Sequence, residues 1–182
     1  VMSIATAVFI DYDNLFRSIN EFYSQFKTND VVKLIIGHLE ERGHSIKLVK
    51  AFCDFKSASE EISDLQENLV ELRHVNSIWD GKTNASDIAL AVDVIKSLYN
   101  DRNFKHYAIV SSDSDMLPLL LELTYQDKDI TLLYLESNVK RKYLKSLERK
   151  INIIKIEDIL QVKTYNPFDI GFLEHSNENK LK

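Results

Sequence analysis

Residues 5–15 read ATAVFIDYDNL, an apolar, β-branched run that ends on a carboxylate and turns at once into a polar helix start. A strand with Val8, Phe9 and Ile10 in unbroken succession is apolar on both faces, as expected when helices cover a parallel sheet from both sides. The same order returns at 106–115, HYAIVSSDSD, and an equally apolar run fills 130–135, ITLLYL. Working outward, strands are expected at 5–11, 45–53, 75–79, 106–111, 130–135 and 151–154. Helices are expected at 14–26, 30–42, 59–73, 86–100, 115–126, 139–149 and 156–161. Alternation of strand and helix implies right-handed crossovers and a mostly parallel sheet, the α/β class.

The chain has 182 residues, enough for one domain but short for two. One domain is expected over residues 1–162, followed by a C-terminal extension, 163–182, that loses periodicity and ends in a polar SNENKLK. Cys53 is the only cysteine, which excludes an intramolecular disulfide and a cysteine-rich zinc site. The five histidines are scattered and form no zinc pattern. No segment approaches the ~20 apolar residues of a membrane span, and the start lacks the basic and apolar regions of a signal peptide. A soluble, cytoplasmic protein with no membrane partner is the expectation.

The net charge of -5 does not announce a nucleic-acid binder, but its distribution is uneven. Residues 139–150 carry Lys140, Arg141, Lys142, Lys145, Arg149 and Lys150 against Glu148 alone. A solvated helix face explains that run as well as a phosphate-binding lip does.

In an open parallel sheet, ligands bind outside the C-terminal ends of the strands. Three acidic groups fall there. Asp11 closes the first strand, and Asp13 and Asn14 follow as candidate helix caps. Capping accounts poorly for Asp11, which is still attached to a buried strand, where a charge needs a partner. Asp113 and Asp115 stand one residue apart after the fourth strand and would repel each other without a cation. Asp87 lies in the first turn of NASDIALAVDVI (84–95), a helix whose Ile88, Val92, Ile95 and Tyr99 share the face expected to pack on the sheet. Asp93 is about 9 Å further along and turned roughly 120°, so it is expected to support the helix rather than share a metal with Asp87. Oxygen ligands of this kind suit Mg²⁺ or Mn²⁺. No Gly-rich phosphate loop, nucleophile elbow or Cys–His pairing is present.

The blocks FIDYDNL (9–15), SDIALAVD (86–93) and YAIVSSDSDMLPLL (107–120), with YLESNVKRKYLKSLERKINIIKIEDI (134–159) after them, resemble in order and spacing the NYN domain family, a branch of the PIN-like nucleases. The resemblance implies a three-layer α/β/α sandwich, PIN-like and Rossmann-like, with a central mostly parallel sheet. It also implies metal-dependent hydrolysis of RNA. By position, Asp11, Asp87, Asp113 and Asp115 would be the metal carboxylates, Asn14 their companion at the helix start, and Ser112 the small residue that lets the turn approach the site. The chain departs from the family pattern in having Asn84-Ala85-Ser86 before the helix aspartate and Met116 where an aromatic is usual.

The expected function is therefore that of a ribonuclease using Mg²⁺ or Mn²⁺ at this aspartate cluster, with Lys82, Lys140, Arg141 and Lys145 as backbone contacts for RNA. Two alternatives stand beside it. One is a phosphatase of the haloacid dehalogenase type, with Asp11 as nucleophile and Asp13 as acid/base. The other is a non-catalytic RNA-binding or assembly module on the same fold. A homodimer or a partner protein stays open.

Overall fold

The computed structural model describes residues 3–54, 62–75, 85–100 and 104–165. Within them the elements run β1 (Ile4–Asp11), α1 (Tyr12–Phe22), α2 (Thr28–Glu41), β2 (His44–Cys53), α3 (Ile62–Glu67), β3 (Glu71–His74), α4 (Ala85–Asn100) and β4 (His106–Val110). A 3-10 turn (Ser114–Met116) then leads into α5 (Leu117–Tyr125), β5 (Asp129–Tyr134), α6 (Arg141–Leu147), β6 (Asn152–Lys155) and α7 (Ile156–Leu160). The six strands form one sheet in the order β3-β2-β1-β4-β5-β6, and every pairing is parallel. The chain builds outward from β1 in one direction, then returns to β4 and builds in the other. That leaves a crevice between the C-terminal ends of β1 and β4, where such sheets bind ligands.

The alternation of β1 divides the core. Val8 and Ile10 point into a cluster with Leu15 and Ile19 of α1, Val32 and Ile35 of α2, and Leu160 of α7. Ala7 and Phe9 point the other way, onto Leu90 and Val94 of α4, Leu120 and Leu123 of α5, and Leu147 of α6. Helices therefore cover both faces, which makes the three layers. Each fully buried Leu or Val stabilises the fold by roughly 1.5–3 kcal/mol.

The buried carboxylate of Glu157 is satisfied by hydrogen bonds. Glu157, fully buried at the start of α7, accepts hydrogen bonds from the backbone N–H groups of Glu136 and Ser137 and from the Tyr23 hydroxyl. This pins the β5–α6 connection. Residues 163–165 continue along the same side, where the Tyr165 N–H donates to the Tyr23 hydroxyl and its ring lies 5.1 Å from that of Phe22.

Three expectations need correction. The third strand is not 75–79: β3 spans Glu71–His74, and the preceding helix ends at Glu67 instead of 73. Leu69 at φ 58° breaks the helix there. Backbone pairing with Lys50–Cys53 of β2 then captures a segment whose polar side chains hid it. Residues 76–79 of the expected strand lie outside the described residues. The face of α4 expected to meet the sheet faces away from it: Leu90 and Val94 are fully buried, while Ile88, Val92 and Tyr99 are 64%, 44% and 67% exposed. The helix is apolar on two opposite faces, so periodicity alone could not choose between them. Finally, α1 is capped by Asp11 and not by Asp13 or Asn14.

Candidate active site

At the C-terminal ends of β1 and β4 a cleft of about 100 Å³ is lined by Asp11, Asp13, Asn14, Arg17, Ser86, Asp87 and Asp113. These come from the end of β1, the first turns of α1, the start of α4 and the turn after β4. Hydrogen bonds position Asp11, Asp13, Asn14, Ser86 and Asp113.

Asp11 is 2% exposed. One oxygen accepts the Asn14 N–H at 3.2 Å, which caps α1, and the other accepts the Ser111 hydroxyl at 3.0 Å. Burial foremost, and then the neighbouring Asp87 carboxylate, hold its pKa well above the usual carboxylate range. Asp87 is also raised, by burial first and then by the charges of Asp113, Asp115 and Asp13. The two carboxyl groups are neighbours in the cleft and repel each other when both are charged.

Asp13 accepts the Cys53 thiol at 2.8 Å, the Asp54 N–H at 3.2 Å and the Ser86 hydroxyl at 2.6 Å. It thus ties α1 to the end of β2 and to α4. Burial, and next Asp13 itself, push the Cys53 thiol far up, so it stays a neutral donor. Asn14 uses its side-chain oxygen to accept the Ser112 N–H at 3.1 Å, fixing the β4 turn against α1. Asp113 accepts the Asp115 N–H at 2.9 Å and so caps the 3-10 turn. Among the described residues, none of the four lining aspartates forms an ion pair.

Of the residues singled out from sequence, Asp11, Asn14, Asp87 and Asp113 therefore share one cleft. Asp115 is exposed and does not line it, although its charge reaches Asp87. The Ser112 side chain turns away, accepting the Leu135 N–H at 2.9 Å. Asp93 pairs with Lys50 of β2 at 3.5 Å. Lys82 lies outside the described residues. Lys140 reaches Ser114, beside Asp113, at 3.4 Å, so the basic run begins at the cleft's edge, and Arg141 and Lys145 are exposed on α6. Sequence reasoning missed Arg17 and Ser86 as lining residues. Arg17 could have been found by its spacing, since it follows Asn14 by three positions and so falls on the same helix face.

The donor set suits a hard divalent cation, being carboxylate and amide oxygen with no soft ligand lining the cleft. The raised pKa values of Asp11 and Asp87 follow from burial and from neighbouring carboxylates that form no ion pair among the described residues. Among the described residues, no three acidic, histidine or cysteine side chains already converge as a ligand cage. Magnesium needs no such cage, because it keeps several waters and uses one or two carboxylates. No helix among the described residues is long and apolar enough to cross a membrane.

The family model described as the NYN domain matches residues 5–154. No curated protein matches the chain. A crystal structure of a Vibrio parahaemolyticus protein of unknown function superimposes with a TM-score of 0.64 at 16% identity, covering 87% of this chain and 96% of that one. That likeness concerns the fold alone.

Proposed function

The chain belongs to the NYN domain family, within the PIN-like nucleases, and we propose that it is a metal-dependent ribonuclease that hydrolyses RNA phosphodiester bonds in the aspartate cleft. The observation that supports this most is that Asp11, Asp87 and Asp113, from three separate elements, line one cleft and form no ion pair among the described residues. Such an arrangement is self-repelling, and a fold that retains it gains by binding positive charge.

Asp11, Asp87 and Asp113 would hold Mg²⁺ or Mn²⁺, with Asp115 adding charge from outside the cleft. Bound there, the cation supplies positive charge against the phosphate and the acidity that activates a water. The protein's own groups do the positioning. Ser111 and the Asn14 N–H orient the Asp11 carboxyl, and Ser86 and Cys53 fix Asp13 at the cleft wall. Arg17 is the cation at the cleft wall and is placed to meet a phosphate, as are Lys140, Arg141 and Lys145 further along. Such contacts position a nucleic acid without reading its sequence.

The phosphatase alternative fits less well. A nucleophilic Asp11 would have to be ionised and approachable, whereas it is buried, raised in pKa and engaged as a cap. The proposed acid/base, Asp13, is committed to three donors.

The decisive experiment incubates the chain with structured and unstructured RNA, with Mg²⁺ or Mn²⁺ and with chelator, beside an Asp113→Asn control. Metal-dependent cleavage lost in the control is expected. Binding of RNA without cleavage under all conditions would instead favour a non-catalytic module.

A further inference from the structure

We propose that the chain pairs with a second copy of itself through the outer faces of α4 and α5. Helix α4 spends one apolar face on the sheet, through Leu90 and Val94, and carries a second on the opposite side. Ile88, Val92 and Tyr99 stand there, 64%, 44% and 67% exposed, with Ile95 half-buried between them. At 100° per residue the four fall within about 60° of one another, so they form one continuous ridge. Beside the ridge lies an apolar groove of about 400 Å³, walled by Val92 and Ile95 on one side and Pro118 and Leu119 on the other. A ridge lying next to a groove on the same surface is the shape that a two-fold axis makes self-complementary.

Charge selects a second copy as the occupant. Two charged residues line this groove, Lys96 on α4 and Glu122 on α5, and neither forms an ion pair among the described residues. Across a two-fold axis each Lys96 faces its counterpart's Glu122, so both charges are answered. A uniformly acidic or basic partner would answer only one. The chain's net charge of -5 opposes self-association in general, but this face is locally neutral. The face is made by a handful of side chains on two helices, small for a stable interface, so the dimer forms reversibly with concentration.

The test is sedimentation velocity on the full chain over a concentration series, with thermal melts to confirm folding. Wild type is expected to pass from monomer to dimer. Val92→Glu should remain monomeric with an unchanged melting temperature, because the site is already partly exposed. Lys96→Glu and Glu122→Lys should each weaken the dimer at least several-fold, and the double reversal should recover it. A wild type that stays monomeric at every attainable concentration overturns the proposal. So does a dimer indifferent to Val92→Glu, or a double reversal no better than its single parents. No RNA or metal enters the experiment, so its outcome is independent of the nuclease reading.

Discussion

The carboxyl groups of Asp11 and Asp87, from the end of β1 and the first turn of α4, line one cleft, and the charge of Asp87 adds to burial in holding the Asp11 pKa up. Two carboxylates so placed repel each other when both are charged, and that sets what their substitution should do.

Asp87→Asn should leave the metal-free protein as stable as wild type or more so, because it removes half of a repelling pair. Stabilisation by Mg²⁺ or Mn²⁺ should shrink, since the stabilisation given by ligand linkage grows with the logarithm of metal concentration over Kd. RNA cleavage should fall at least a hundredfold. Melting curves with and without metal check the first two points, and a cleavage assay checks the third. Equal metal-induced shifts in wild type and variant would remove Asp87 from the site.

Asp93→Asn is the contrasting variant on the same helix. Asp93 faces Lys50, which also reaches Glu71 at 3.4 Å. Partly exposed pairs contribute about 1 kcal/mol or less, so a small drop in melting temperature and near-normal cleavage are expected. A fully stable but inactive Asp93→Asn would reverse the roles assigned to the two aspartates.

Acid sensitivity should come from the other end of the sheet. There the Thr6 hydroxyl donates to the Ile4 carbonyl and lies 2.9 Å from His44 Nδ1 and 3.2 Å from His106 Nδ1. With its one proton so used, it accepts from both rings, which makes each Nδ1 the protonated nitrogen. Burial, and next His44, lower the His106 pKa from 6.5 to about 4. A histidine with a depressed folded pKa takes up its proton more readily when unfolded, so stability is lost as pH falls from about 6.5 toward 4. The full loss is on the order of 3 kcal/mol. Urea titrations at several pH values should show this slope, and His106→Gln should flatten it. An unchanged slope in the variant would assign acid sensitivity to other groups.

The basic helix is tested by salt. Tyr143, Leu144 and Leu147 are buried, whereas Lys140, Arg141 and Lys145 are exposed. Replacing these three by Ala should weaken RNA binding at low salt. Each lost phosphate contact should flatten the log-affinity against log-salt plot by about 0.7 for a single strand. Melting should barely move. Arg17→Ala, tested alongside, should lower the slope by one contact without reducing metal binding. If the triple variant matches wild type while Arg17→Ala does not, the RNA path follows α1 rather than α6.

Much of this was legible from residues 5–15, 84–95 and 106–115 alone. Three carboxylate groups at strand ends, in a chain that alternates strand and helix, determine an α/β sheet with an acidic crevice, because backbone period and strand direction are local properties. What the sequence left open depends on neighbours distant in the chain. Whether Asp11 or Asp13 caps α1 turned on Cys53, Asp54 and Ser86 reaching Asp13 first. Whether Glu71–His74 is helix or strand turned on the free edge of β2. Which side of α4 meets the sheet was undecidable from a helix apolar on both, and packing placed Leu90 and Val94 inward and left Ile88, Val92 and Tyr99 outside. Local sequence determined most of the elements and the charges they carry, whereas the tertiary contacts decided which of those charges share one cleft and which apolar face remains exposed.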